Sequence, residues 1–173
     1  MEYDVIRKEK SLGTLKATLI KEGNRRTYLT NTEIEYSLMM TFDIKYDYKI
    51  VFENGILKES FVKVWVRGNE KDDTYTVLKD GKYHYYKDDE LELTINESIT
   101  YTIEQLFYEE PQYRTRIYSE TNGDFHEMKK VGASKYIKVN PNGRENVYFY
   151  KGGYMERCDV DAGMIEFSII RKK

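Results

Sequence analysis

From Ile34 to Phe52 every second residue is apolar or aromatic: Ile34, Tyr36, Leu38, Met40, Phe42, Ile44, Tyr46, Tyr48, Ile50 and Phe52. The residues between them are mostly Glu, Ser, Thr, Asp and Lys. A period of two marks a strand with one buried face. A strand over this span would run about 60 Å at roughly 3.3 Å per residue. A chain of 173 residues folds to a body only about 40 Å across. A straight strand does not fit. The expectation is a strand that curls, with its bend at Asp43 to Asp47, so that one apolar face serves both walls of a curled sheet.

Glycine turns punctuate the rest of the chain. Asn54-Gly55, Asp80-Gly81, Asn122-Gly123, Pro141-Asn142-Gly143 and Gly152-Gly153 favour the positive φ that tight hairpins demand. Between the turns, strands are expected near residues 3–8, 12–21, 26–53, 56–67, 74–79, 82–87, 91–96, 113–120, 124–131, 134–139, 145–151, 153–160 and 164–171. Only two prolines interrupt the chain, and its 17 tyrosines suit a pleated surface, with the ring inside and the hydroxyl at a wet edge or on a partner. The pattern predicts a single all-β domain over residues 1–173, an antiparallel meander curled into a closed or partly open β-barrel. One segment departs from it. In "TYTIEQLFYEEP", Ile103, Leu106 and Phe107 fall at helical spacing, Thr102 and Gln105 form a capping box, and Pro111 sets the stop. A short helix is expected over residues 102–109, as a lid or plug of the sheet.

Pairing outward from the Asn54-Gly55 turn sets Phe52 against Leu57, Tyr48 against Phe61 and Ile44 against Trp65, with Glu59 and Lys63 as misfits on that face. Pairing outward from Gly152-Gly153 sets Val147 against Cys158, a small core residue on an apolar face.

Lys plus Arg number 28 against 30 Asp plus Glu, a formal charge of −2. This argues against a general role on nucleic acid or on a charged membrane surface. One cysteine precludes an internal disulfide, and no apolar run reaches the length of a membrane helix. No cofactor or metal is expected. His84 and His126 stand alone in strand contexts as wet-edge groups, at no ligand-like spacing. Asp159 to Phe167 superficially resembles a calcium loop, but its glycine comes one place early and no Glu closes it, so a hairpin is expected there. Phosphate loops, dinucleotide fingerprints and G-x-S-x-G elbows are absent from the sequence.

Two groups of residues remain as candidates for function. One is polar: Glu109, Glu110, Arg114 and Arg116 around the helix exit, either an enzyme's acid-and-guanidinium cluster or simple ion pairs at a corner. The other is the inner face, with Tyr36, Leu38, Met40, Phe42, Tyr48, Phe61 and Trp65. Its large side chains favour a filled interior, whereas Tyr hydroxyls and flexible Met favour an adaptable pocket for a small apolar ligand or lipid. A structural or interaction protein with a filled core is the remaining alternative. The oligomeric state is open.

Several stretches, "FENGIL" at 52–57, "SITYTIEQLFYEEP" at 98–111, "IYSETNGDF" at 117–125, "YIKVNPNGRENVYFY" at 136–150 and "GMIEFSII" near the end, together resemble an uncharacterised family of exported bacterial proteins, a domain of unknown function found mainly in Bacteroidota. The opening "YDVIRKEKSLGTLKAT" looks like the mature start of such proteins after signal-peptide removal. The resemblance implies a lipocalin-like β-barrel with one helix near its mouth, similar to carriers that move lipoproteins across the periplasm. It also implies a periplasmic or cell-surface location, and it brings no catalytic residues.

Overall fold

The computed structural model describes residues 1–37, 41–163 and 165–173, and the side chains of these except 36, 37, 41 and 42. The strands are β1 (Glu2–Arg7), β2 (Lys10–Glu22), β3 (Arg25–Ser37), β4 (Thr41–Glu53), β5 (Ile56–Val66), β6 (Asn69–Lys79) and β7 (Lys82–Lys87). They continue as β8 (Glu90–Ile95), β9 (Arg116–Ser119), β10 (Asp124–Gly132), β11 (Lys135–Val139), β12 (Glu145–Lys151), β13 (Tyr154–Asp161) and β14 (Glu166–Arg171). All lie in one antiparallel sheet, ordered β8 to β1 and then β14 to β9. Two meanders therefore share a seam, where β1 pairs with β14 and Tyr3 stands opposite Arg171.

The edges of this sheet, β8 and β9, do not pair with each other. The strand order gives an open sheet, not a closed barrel. The β9 edge is occupied differently: its end tucks against the inner face of the opposite wall. Tyr118 Oη lies 2.9 Å from Thr76 Oγ1, Thr74 Oγ1 donates to the Glu120 carbonyl at 3.1 Å, and Tyr85 Oη donates to the Thr121 carbonyl at 2.7 Å. Gly123 sits in that contact with φ +71°, and a Cβ there would lie 2.5 Å from the Tyr85 ring.

The long alternating segment is two strands, not one bent strand. β3 and β4 run antiparallel, with Ile34 opposite Ile44 and Ser37 opposite Thr41. The expected bend at Asp43–Asp47 lies inside β4, where residues 44–47 pair on both sides. The alternation hid the reversal for a geometric reason. Each paired position and its partner are both even or both odd, so the even-numbered residues of both strands share one face. No Gly, Pro, Asn or Asp marks the reversal in "SLMMT". Leu38 and Met40 lie outside the described residues, as do the side chains of Tyr36 and Phe42.

A bulge changes the next hairpin. Phe52 faces Leu57 as expected, but Val51 faces Glu59, which leaves Lys58 as the extra residue. Every position after a one-residue bulge moves to the other face. Tyr48 accordingly faces Val62, while Phe61 faces Lys49 and Trp65 faces Lys45. Phe61 and Trp65 belong to the outer face. There Phe61 stacks on Tyr75 at 4.5 Å, Lys49 lies over Phe61 and Lys45 over Trp65. A second bulge sets Cys158 opposite Tyr148 rather than Val147, and Cys158 is buried.

The predicted helix is a 3₁₀ helix, Ile103–Phe107. Gln105 Oε1 accepts from the Thr102 N–H at 2.9 Å, one half of the expected capping box. Leu106 and Phe107 are buried in the larger core cluster, among Tyr3, Tyr101, Tyr148, Tyr150 and Met155. The tyrosines explain how a short helix survives inside a sheet. The last carbonyls of a helix have no partner within it, and here tyrosine hydroxyls supply one. Tyr150 Oη donates to Leu106 O at 2.9 Å and Tyr3 Oη to Phe107 O at 3.3 Å, and just past the helix Tyr101 Oη donates to Glu109 O at 2.9 Å. Burial pushes the Tyr3 phenol up to about 12, so it stays a donor through the physiological range.

Candidate functional site

The inner faces of the two meanders and the 3₁₀ helix border a half-open cavity of about 520 Å³. Val5, Leu15, Ile34, Ile44, Tyr46 and Tyr48 line it from β1 to β4. Tyr148, Met155, Cys158, Phe167 and Ile169 line it from β12 to β14, and Ile103, Glu104 and Phe107 from the helix. The alternation of β4 puts Ile44, Tyr46 and Tyr48 on the same side as Ile50 and Phe52. The last two are packed into the core, whereas the first three are half-buried. The cavity is thus the part of the inner face that side chains leave unfilled.

One wall carries a carboxyl. Glu104 is 4% exposed and Glu120 only 1%. Glu120 sits just after β9 and accepts from the Glu104 N–H at 3.1 Å, at the first turn of the helix. Burial, and then the neighbouring Glu120, push the Glu104 carboxyl up to about 8. The Thr30 hydroxyl beside it opposes that shift without reaching hydrogen-bond geometry. Burial also raises Glu120, opposed by the hydrogen bond it accepts from the Glu104 N–H and by the Thr102 hydroxyl nearby, which does not reach hydrogen-bond geometry. The cavity therefore presents a neutral carboxylic acid near pH 7, able both to donate and to accept.

A second buried polar group lies on the inner faces of β10 and β11. Lys138 is 4% exposed and His126 3%. Lys138 Nζ stands 3.1 Å from His126 Nδ1 and 2.5 Å from Asn140 Oδ1, and Asp124 lies 3.0 Å from His126 Nε2. Burial lowers Lys138 to about 8 and lowers His126 as well. His126 is thus a core group rather than the wet-edge residue expected from sequence. Cys158, buried beside Tyr148 and Lys138, has its thiol pushed up to about 12 by burial, which makes it unreactive.

The expected polar cluster does not converge. Glu110 accepts from Tyr136 Oη at 2.8 Å, while Arg114 donates to Thr100 and lies over the Tyr101 ring. Arg116 pairs with Glu97 and lies over Phe125. Glu109 offers its backbone carbonyl to Tyr101. These are structural contacts of a corner, with both arginines exposed. Of the expected inner-face residues, Tyr48 lines the cavity, and Phe61 and Trp65 do not. Glu104, Glu120 and Lys138 were missed. A Glu in a first helical turn reads as solvated, a Glu before Thr-Asn-Gly reads as a turn, and a Lys within a strand reads as an outward residue. The one available signal for Lys138 was parity: it alternates with Tyr136 and Asn140. Asp159 to Phe167 spans the β13–β14 hairpin as expected, and no cluster of metal-ligating side chains occurs among the described residues.

No helix among the described residues is long and apolar enough to cross a membrane. No curated protein matches the chain, and no solved structure does. Residues 3–172 match a domain of unknown function, DUF6134, and the chain belongs to that family.

Proposed function

We propose that this protein is a non-enzymatic carrier that holds a small apolar or lipid-like molecule inside its rolled sheet, with the 3₁₀ helix as the floor of the site. The observation that carries the reading is the cavity: about 520 Å³, walled mainly by aliphatic and aromatic side chains. That volume falls within the range of small-molecule sites, which are mostly apolar with a few placed polar groups. A partly open, lipocalin-like barrel is the architecture this reading calls for. The periplasm or the cell surface is the location proposed with it, and cell fractionation tests that part separately.

Titration with an environment-sensitive alkyl-naphthylamine dye tests the binding. Saturable uptake at one site is expected, and it should fall in Ile44→Trp and Ile165→Trp, which put a large ring into the cavity from half-buried positions. Absence of saturable uptake, or uptake untouched by both substitutions, would overturn the reading.

A further inference from the structure

Two polar atoms on the cavity wall have no partner: Glu104 Oε2 and Thr30 Oγ1 are buried and make no hydrogen bond. Their residues are 4% and 1% exposed, and both line the cavity. They come from different elements. Thr30 lies in β3 opposite Tyr48, and Glu104 is the second residue of the 3₁₀ helix. Buried polar atoms are almost always paired. These two lie beside each other at a single apolar wall without reaching hydrogen-bond geometry, so both could bond a polar group that the chain itself does not supply.

We infer that the cavity selects an apolar molecule ending in one uncharged hydroxyl, seated between Thr30 and Glu104. The inference rests on the cavity being a binding site. A hydroxyl donates once and accepts as well, which is what a threonine hydroxyl and a protonated carboxyl together can satisfy. The other end groups fit less well. The charge beside Glu104 is another carboxyl, Glu120, and the remaining groups facing Glu104 are Tyr48, Tyr108 and Tyr148. Arg7 also lines the cavity and Lys138 acts on Glu120, but neither cation acts on Glu104, so a ligand carboxylate seated there would lie against an acid with no cation directly beside it. An ammonium brings three N–H donors to two unpaired atoms and leaves one donor stripped of water. An alkane leaves both orphan atoms unpaired.

Competition for the dye site by decanol, decanoate, decylamine and decane separates these cases. Decanol should displace the dye at a concentration at least roughly tenfold below that of the other three, as expected where a site built to bond a hydroxyl meets analogues lacking one. Thr30→Val and Glu104→Met should each bring decanol down to the level of decane. Thr30→Ser and Glu104→Gln, which keep a donor and an acceptor, should preserve its advantage and serve if the apolar variants fail to fold. Equal displacement by all four probes, a preference for decanoate or decylamine, or a decanol advantage that survives Thr30→Val or Glu104→Met would overturn the inference while leaving the cavity reading in place. Failure of every probe and of the dye to bind would remove both.

Discussion

The hydroxyl of Tyr150 reaches across the interior from β12 to donate to the backbone carbonyl of Leu106, at 2.9 Å. Leu106 O belongs to the last turn of a five-residue 3₁₀ helix, and helices this short are not stable on their own. Tyr150→Phe keeps the ring and strands a buried carbonyl. The expected loss is about 1–3 kcal/mol, the cost of an unsatisfied buried group, read as a lower urea midpoint at unchanged m-value. Tyr3→Phe should cost less, because its hydroxyl lies 3.3 and 3.4 Å from its two carbonyl acceptors.

Glu104 should give the fold a definite pH dependence. Its carboxyl ionises near 4.5 in the unfolded chain and near 8 in the folded one. Between those values the native state holds a proton that the unfolded state has released. This contribution is therefore fully present below pH 4.5 and is lost as pH rises to 8, at up to about 1.4 kcal/mol per pH unit. Glu104→Gln should remove that slope, so the variant gains on the wild type steadily from pH 5 to 8. Parallel urea midpoints for the two proteins across that range would contradict the assignment.

Lys138 works in the opposite sense and in another window. Its ammonium is favoured less in the fold, with a value near 8 against 10.5 unfolded. Above 8 the unfolded state holds the extra proton, so this contribution to stability rises with pH from 8 toward 10.5. Lys138→Met should lose that rise. The difference in unfolding free energy between variant and wild type at pH 8 and at pH 9.5 isolates it from tyrosine ionisation, which both proteins share.

Gly123 and Gly81 both occupy left-handed backbone, at φ +71° and +77°. Only Gly123 is also crowded, by the Tyr85 ring at 2.5 Å; nothing lies within 4 Å of a Cβ at Gly81. Gly81→Ala should cost about 1–2 kcal/mol, the backbone term alone. Gly123→Ala should cost clearly more and loosen the contact between β9 and the β6–β7 wall. Thermal unfolding of the pair tests the difference.

Strand content was readable in the sequence because glycine turns and a period of two are local signals. Where its side chains are described, the alternation of this stretch follows one face, and Ile34, Ile44, Tyr46 and Tyr48 line the cavity. It did not reveal the reversal between Ser37 and Thr41, because partners of matching parity leave the pattern intact. Phe61 and Trp65 were misplaced for the converse reason: the Lys58 bulge breaks parity without any glycine to announce it. Glu59 and Lys63, the two charges that looked wrong on an inner face, were the visible trace of that bulge. The polar half of the site was not legible. The burial of Glu104 and Glu120 depends on where the turn after β9 packs in space, and no spacing along the chain records that.

The seam between β1 and β14 has a consequence for synthesis. Tyr3 waits for Arg171, and Val5 for Ile169, so synthesis must pass Arg171 before β1 finds its second neighbour. Through that interval the outer edge of β1 is a row of open donors and acceptors, the kind of edge on which chains pair wrongly. The last six-residue strand, β14, is therefore the piece that seals the fold. Clipping it should leave two meanders, each with an adhesive flank, and an association problem in place of a cavity.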